Sequence, residues 1–267
     1  MDSATPSAGE LPALVPGFRL DGRVALVTGA SSGLGAGIAE AFASQGAEVV
    51  LMARSRDLLE SVAARIIARG SSCRIAVCDV TDTTALREHI ASLPRLDILV
   101  NNAGTNFPEP ITEVSDEHLD TILDLNVRSV YLSAQAAVRK MLEAPDRRTA
   151  GGAIINMSSQ MGHVGSPNRT VYCMSKHAVE GLTKALAIEL APVGIRVNSI
   201  APTFVDTPLV QRVASSPEQR AFILGRIPLG SLATIGDIAA AAIYLASPAA
   251  GMITGTSLVV DGGWTAQ

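Results

Sequence analysis

The chain has 267 residues, is 48% hydrophobic and carries a net charge of −4, with 21 Lys and Arg against 25 Asp and Glu. This length suits one α/β domain with a large core, and we expect residues 20–267 to form it behind a flexible N-terminal arm, residues 1–19. The charge balance provides no basic surface and argues against nucleic acid or anionic lipid as a partner. Its three cysteines lack the paired spacing of a metal site, and no apolar run reaches membrane-span length, so we expect a metal-free cytoplasmic protein.

Short apolar runs alternate with helix-length amphipathic segments along the chain. The runs are Val24–Val27, Val49–Met52, Ile75–Val77, Ile98–Val100, Ile154–Met157, Val197–Ala201 and Leu258–Val260. The helical segments are Ala36–Gln45, Asp57–Arg69, Ala85–Ser92, Glu117–Met141, Val171–Leu190 and Ile238–Ala246. This alternation indicates βαβ units, and hence an α/β fold with a parallel sheet of about seven strands and helices on both faces. The polar stretch Gln211–Arg220 predicts a mobile insertion over the sheet.

A glycine-rich turn follows the first predicted strand and leads directly into a helix. It reads TGASSGLG over residues 28–35. Glycines in this context permit a tight turn and let a pyrophosphate approach the free N–H groups of the helix N-terminus, to which Ser31 and Ser32 can add hydroxyl donors. The simpler interpretation is a flexible loop, but the flanking strand and helix favour a dinucleotide site. The spacing is TGxxxGxG and not GxGxxG.

Two further motifs accompany this turn: NNAG over residues 101–104 and YCMSK over residues 172–176. With all three in this order, the chain from about Leu20 to its C-terminus resembles the short-chain dehydrogenase/reductase family. The resemblance implies a Rossmann-type doubly wound sheet, a nicotinamide cofactor and a catalytic set of Asn, Ser, Tyr and Lys. The residues that match this set are Asn126, Ser159, Tyr172 and Lys176.

These side chains suit reversible reduction of a carbonyl group. A hydroxyl acid must reach the developing alkoxide, and Tyr172 can act if a neighbouring cation lowers its pKa. Lys176 is that cation in our interpretation, because positions i and i+4 share one helix face. Ser159 follows the fifth strand and can donate to the substrate oxygen. The resemblance further implies that Lys176 binds the nicotinamide ribose and that Asn126 orients a water in a proton relay.

The predicted cofactor is NADP(H), with NAD(H) as the other possibility. Ala53 occupies the position where NAD enzymes of this family usually carry an acid, whereas Arg54 and Ser55 can bind a 2′-phosphate. Family analogy places Asp79 and Val80 at the adenine ring, and Asp79 is also expected to cap a helix beginning near Thr81. The residues expected to contact the nucleotide are Gly29, Ser31, Ser32, Gly33, Leu34, Gly35, Arg54, Ser55, Asp79, Val80, Asn102, Ala103, Gly104, Tyr172, Lys176, Pro202, Val205 and Thr207.

The substrate end is less defined by the sequence. Segments Gln160–Arg169 and Val205–Arg226 are expected to shape the pocket, and Thr203 replaces the glycine that family members usually have after Pro202. The substrate is expected to be a small carbonyl or alcohol, and similarity to other members suggests a sugar acid, a polyol or a 3-oxoacyl compound. The alternative function is a nucleotide-binding regulator without turnover. The family resemblance also implies a homodimer or homotetramer.

Overall fold

A computed structural model describes residues 17–207 and 216–267, which contain a single seven-stranded parallel sheet. The strands are β1 (Val24–Thr28), β2 (Glu48–Ala53), β3 (Cys73–Val77), β4 (Ile98–Asn101), β5 (Gly152–Met157), β6 (Ile195–Pro202) and β7 (Ser257–Val260). Their order is β3-β2-β1-β4-β5-β6-β7. The predicted α/β doubly wound sheet with seven strands is therefore confirmed.

Helices cover both faces of this sheet. They are α1 (Gly33–Ser44), α2 (Arg56–Ala68), α3 (Thr83–Ala91), α4 (Asp116–Leu123), α5 (Ser129–Leu142), α6 (Arg147–Ala150), α7 (Thr170–Leu190), α8 (Pro217–Leu224) and α9 (Ile235–Ala246). One apolar core lies between the sheet and α1, α2 and α9, and a second core lies between the opposite face and α3, α5 and α7. The five inner strands are buried almost throughout, which explains their continuous apolar runs, whereas the edge strands β3 and β7 are only partly buried.

The site is positioned by a reversal of strand order beside β1. From β1 the chain builds outward through β2 and β3, and it then returns to place β4 on the other side of β1. The loops after β1 and β4 therefore diverge and leave a crevice at the carboxyl ends of these strands, where open α/β sheets bind ligands. The glycine turn follows β1 and the NNAG segment ends β4, so both motifs border this crevice.

Two local predictions were wrong, and a third is tested only in part. The segment Glu117–Met141 was expected to be one helix, but a π-helical turn, Asp124–Arg128, separates α4 from α5. The polar stretch Gln211–Arg220 lies partly outside the described residues, and its end from Pro217 belongs to α8, whose N-cap Ser216 forms a capping box with Gln219. The predicted cap Asp79 accepts from Thr81 in a local turn, while Asp82 caps α3 by accepting from the N–H groups of Thr84 and Ala85.

Two other predictions concern the ends and surroundings of the chain. Residues 1–16 of the predicted flexible arm lie outside the described residues, and the division into an arm and one domain stays a prediction. Across residues 17–207 and 216–267, no helix is long and apolar enough to cross a membrane.

A buried carboxylate joins several elements at the amino ends of the central strands. Asp97 is 1% exposed and accepts from the backbone N–H of Val24 at 3.0 Å. Its Oδ1 also accepts from Arg95 and Arg147, each at 2.9 Å. Arg147 is itself buried and donates to the carbonyls of Leu96 and Met141. The network connects β1, β4 and the segment after α5 at the amino ends of the strands, whereas the crevice lies at their carboxyl ends.

Candidate active site

The glycine turn is shaped by close backbone packing at its base. Gly29 and Gly33 have φ of +66° and +54°, a region that side chains other than glycine rarely adopt. A Cβ at Gly35 would lie 2.3 Å from the carbonyl oxygen of Gly29 and 2.5 Å from Nδ2 of Asn102. Gly35 therefore supports the turn from behind, whereas nothing lies within 4 Å of a Cβ built on Gly33. The open side of the turn faces the crevice.

The same turn presents an electropositive helix end. Ser32 is the N-cap of α1, its hydroxyl makes no capping bond, and the first turn of α1 contains no acidic residue. The partial positive charge of a helix N-terminus and its free N–H groups attract a phosphate under these conditions. The residues of this turn therefore fit the pyrophosphate of a dinucleotide.

The NNAG segment braces the turn against β4. The side chain of Asn102 donates to the carbonyls of Thr28 at 2.9 Å and Gly29 at 3.3 Å. The hydroxyl of Thr28 accepts from the backbone N–H groups of Asn102 and Ala103. These reciprocal bonds fix the two motifs to each other across the sheet. Asn102 therefore joins the NNAG segment to the glycine turn, although the two motifs are far apart in sequence.

An open cleft of about 1080 Å³ runs along the carboxyl ends of the strands and brings most of the predicted site residues together. The predicted residues on its wall are Gly29, Ser31, Ser32, Gly33, Leu34, Arg54, Ser55, Asp79, Val80, Asn102, Ala103, Gly104, Ser159, Tyr172, Lys176, Pro202, Val205 and Thr207. Gly35 and Asn126 lie behind this wall. The cleft is also lined by residues that the motifs did not indicate, including Leu58, Cys78, Thr105, Asn106, Asp124 and Met157.

Tyr172 and Ser159 meet at the β5 end of the cleft. The pKa of the Tyr172 phenol is raised by burial, against a hydrogen bond with Ser159 and the positive charge of Arg169, which lower it. Lys176 was predicted to lower this pKa, but burial has the largest effect, and Arg169 is the cation that opposes it. The phenol is therefore held in its protonated form at neutral pH. The Ser159 hydroxyl donates to the Gln160 side chain at 3.1 Å and accepts from the N–H of Met161.

Lys176 lies one helical turn after Tyr172 on α7. Its ammonium group donates to the carbonyl of Met157 at 2.7 Å and lies 5.5 Å from the centre of the Tyr172 ring. Burial lowers the pKa of Lys176 to about 8, while the charge of Glu180 raises it. The carboxyl end of β5 therefore fixes the position of the lysine, and burial brings its titration close to the physiological range.

Asn126 is fully buried in the π-helical turn behind Lys176. Its amide group accepts from the N–H of Thr105 at 2.8 Å and donates to the carbonyl of Thr105 at 2.9 Å. The amide also donates to the hydroxyl of Ser175. These contacts hold the loop after β4 against α7. The water relay proposed for Asn126 stays a prediction.

The far end of the cleft contains the expected cofactor-selecting residues. The Arg54 side chain is 81% exposed, and its nearest guanidinium nitrogen lies 3.8 Å from a carboxylate oxygen of Asp79. Ser55 is the N-cap of α2, and its hydroxyl makes no capping bond. Ala53 ends β2 beside them. A guanidinium, a hydroxyl without a capping bond and the start of α2 thus lie together on the cleft wall, and these donors fit a phosphate group. The first turn of α2 also contains an acid, Asp57.

At the substrate end, His163 lies in the segment Gln160–Arg169 that was expected to shape the pocket. It hydrogen-bonds through Nε2 to the hydroxyl of Ser257 at 2.8 Å. Thr203 lines the cleft, is 7% exposed and has a hydroxyl without a hydrogen-bond partner among the described residues. Asn106 also lines the cleft, and its buried carbonyl oxygen likewise has no partner within residues 17–207 and 216–267. No sequence motif marks Asn106, and its position two residues after NNAG was the only available signal.

Known proteins match this chain along nearly its whole length. A family model described as enoyl-(acyl carrier protein) reductase matches residues 29–265. D-threitol dehydrogenase from Mycolicibacterium smegmatis is 42% identical over 252 residues, which cover 93% of this chain and 95% of the relative. L-xylulose reductase from Bos taurus is 38% identical over 249 residues, which cover 93% and 99% of the two chains.

Solved structures agree with these matches. Gluconate 5-dehydrogenase from Burkholderia cenocepacia, in complex with NADP and tartrate, superposes with a TM-score of 0.88 at 32% sequence identity, covering 94% of this chain and 98% of that one. The fold and these matches define an oxidoreductase. The chain belongs to the short-chain dehydrogenase/reductase family.

Proposed function

We propose that the protein transfers a hydride between NADP(H) and a carbonyl or secondary alcohol, with Tyr172 as the general acid and base. The observation that carries this proposal is the convergence of Ser159, Tyr172 and Lys176 on the cleft that begins at the glycine turn. A degenerate nucleotide-binding regulator, the second candidate, has no need of this set. Residues 20–267 constitute the catalytic domain in this proposal.

Each side chain has a defined task in carbonyl reduction. A bound nicotinamide supplies the hydride. The Tyr172 phenol donates its proton to the substrate oxygen, and burial supports this role because the raised pKa keeps the phenol protonated. Ser159 donates a hydrogen bond to the same oxygen and stabilises its developing charge. Lys176 holds a positive charge beside the phenol and binds the nicotinamide ribose, while Asn126 positions a water behind Lys176.

The glycine turn holds the pyrophosphate, and Asp79, Val80 and the NNAG segment surround the adenosine in this proposal. Pro202, Val205 and Thr207 lie at the nicotinamide end. In the oxidation direction the phenolate form of Tyr172 must accept the proton, so the raised pKa predicts that alcohol oxidation accelerates with rising pH. Carbonyl reduction uses the protonated phenol, so it does not require Tyr172 to lose its proton first.

Arg54→Ala is expected to weaken NADPH binding by about 10- to 100-fold and to leave NADH binding unchanged. A hydrogen bond between charged groups contributes about 1.5–3 kcal/mol, which corresponds to this range. The Kd values are measured by nucleotide fluorescence. Arg56→Ala is the matched control, because Arg56 pairs with Glu60 on the exposed side of α2. A wild-type preference for NADH, or equal losses for both nucleotides in Arg54→Ala, would contradict NADP selection.

The proposed substrate is a polyol or its keto-sugar counterpart. The relatives named for D-threitol, L-xylulose and gluconate support this class. The unpartnered polar atoms of Asn106 and Thr203 on or beneath the cleft wall also favour a hydroxyl-rich molecule over a long acyl chain. The 3-oxoacyl alternative rests on the similarity to other family members noted in the sequence, because the family-model description names an enoyl and not a 3-oxoacyl group.

The test is an NADPH and NADH oxidation screen against keto-sugars, keto-sugar acids, diketones and acetoacetyl thioesters. Steady oxidation with a keto-sugar establishes the proposal. Tight NADPH binding without turnover on any class favours the regulator instead. We further propose a cytoplasmic homodimer or homotetramer, and light scattering that detects only monomer would contradict this assembly.

A further inference from the structure

A buried carboxylate that takes no part in the proposed proton transfer lies on the same helix as Tyr172 and Lys176. Glu180 is 5% exposed, and its two oxygens accept from the hydroxyls of Ser199 at 2.8 Å and Ser257 at 3.1 Å. The Nε2 atom of His163 lies 3.5 Å from one of these oxygens. Two strands and the segment after β5 therefore hold this carboxylate in place.

Glu180 is one helical turn beyond Lys176 and shares its face of α7. Side chains on a helix lean toward its N-terminus, so Glu180 extends back over the turn that carries Lys176. Gly162 confirms this close packing, because a Cβ built there lies 3.2 Å from both the Cγ of Glu180 and the carbonyl oxygen of Lys176. The carboxylate of Glu180 and the ammonium group of Lys176 thus belong to residues one helical turn apart on the same buried face of α7, where they act on each other through space and not as a direct ion pair.

The charges of Glu180 and Lys176 interact. Removing an ammonium group from water disfavours its charged form, and a nearby carboxylate offsets this cost. The charge of Glu180 accordingly raises the pKa of Lys176 against the larger effect of burial. β6 and β7 contribute the hydroxyls of Ser199 and Ser257 to Glu180. Other titratable groups lie near the pair. His163 lies beside Glu180, and Tyr172, which feels the charge of Arg169, lies beside Lys176. Asp124 shares the cleft wall with Lys176, and Lys184 follows Glu180 by one turn of α7.

We propose that Glu180 is a positioning residue of the active site, whose buried carboxylate keeps Lys176 positively charged under working conditions. This proposal rests on the proposed function for the role of Lys176. The protonation of Lys176 can be measured in the protein without substrate, so the test does not depend on turnover. In the proposed function the positive charge of Lys176 supports the ribose contact and lies beside the Tyr172 ring, 5.5 Å from its centre.

The lysine count makes the test direct. The full sequence contains three lysines, Lys140, Lys176 and Lys184, so a protein labelled with ¹³C at lysine Cε gives three signals in a heteronuclear spectrum. Loss of one signal in Lys176→Met assigns Lys176. In wild type this signal is expected to titrate with a midpoint of about 8. In Glu180→Gln, which preserves the shape of the side chain, the midpoint is expected to fall by about 0.5–1.5 pH units.

Two further variants separate charge from packing. Glu180→Asp keeps the charge while altering the packing, so its Lys176 midpoint is expected to stay closer to wild type than that of Glu180→Gln. His163→Arg places a permanent cation beside Glu180 from a partly exposed position, and it is expected to lower the midpoint even if Glu180→Gln fails to fold. The alkaline limit of kcat/KM for carbonyl reduction should follow the same order.

Unchanged Lys176 midpoints in the folded variants would overturn the inference, as would a midpoint that falls only in Glu180→Asp. Failure of the proposed function has a different signature: the lysine midpoints follow the expected order, but neither NADPH binding nor turnover is detected in wild type. The two failures are therefore distinguishable.

Discussion

Tyr172→Phe is expected to lower kcat/KM for carbonyl reduction by about 10³-fold while the Kd for NADPH changes less than twofold. General acid catalysis by a positioned side chain contributes about 10² to 10⁴ in rate, and phenylalanine removes the only proton that this side chain can donate. The aromatic ring is retained, so the half-buried position stays filled. Binding and catalysis should therefore separate cleanly in this variant.

Tyr131→Phe is the matched control, because Tyr131 is half-exposed on α5 and does not line the cleft. It should keep wild-type turnover. Stopped-flow measurement of single-turnover NADPH oxidation compares the three proteins at the chemical step, and fluorescence titration gives the Kd values. Full activity in Tyr172→Phe would mean that another group delivers the proton. Equal losses in both variants would indicate a structural cause.

The five inner strands were predictable because they are buried almost throughout and leave continuous apolar runs. The edge strands β3 and β7 are only partly buried, but each still contains a short apolar run, and all seven runs fall within β1 to β7. The π-helical turn at Asn126 left no comparable mark, since apolar spacing continues from α4 into α5. α8 was missed for a related reason. Its signal is a local capping box within a polar segment, where hydrophobic periodicity is weak.

In the site, too, residues within short motifs were predictable, whereas contacts between distant parts of the chain were not. Short motifs carried the glycine turn, NNAG and YxxxK, and these segments meet at the cleft. The sequence did not indicate the contacts of Glu180, because Ser199 and Ser257 join it from strands far along the chain. The buried face of α7 also contains Lys176, Glu180 and Thr183, so an apolar stripe alone could not define it. The expected effect of Lys176 on the Tyr172 pKa failed because burial, which the sequence did not reveal, dominates.

The free energy of unfolding should depend most strongly on the buried Asp97 network, which lies at the amino ends of the strands, away from the cleft at their carboxyl ends. Arg147→Met is expected to reduce the free energy of unfolding by about 3–5 kcal/mol, because losing one partner leaves a buried carboxylate incompletely compensated. The substitution also removes donors from the carbonyls of Leu96, Met141 and Gly151. Methionine fills much of the volume of the arginine stem, so the loss reports mainly on charge and hydrogen bonding.

Urea unfolding at one fixed protein concentration measures this cost, since self-association would otherwise shift the apparent stability. Arg69→Met is the control: its guanidinium pairs with Glu40 at the surface, where an ion pair contributes about 0–1 kcal/mol. Asp97→Asn combined with Arg147→Met should cost less than the sum of the two single changes, because the second substitution removes the charge that the first leaves uncompensated. A loss in Arg147→Met no greater than in Arg69→Met would mean that Arg23 and Arg95, the remaining cations around Asp97, are sufficient to compensate its charge.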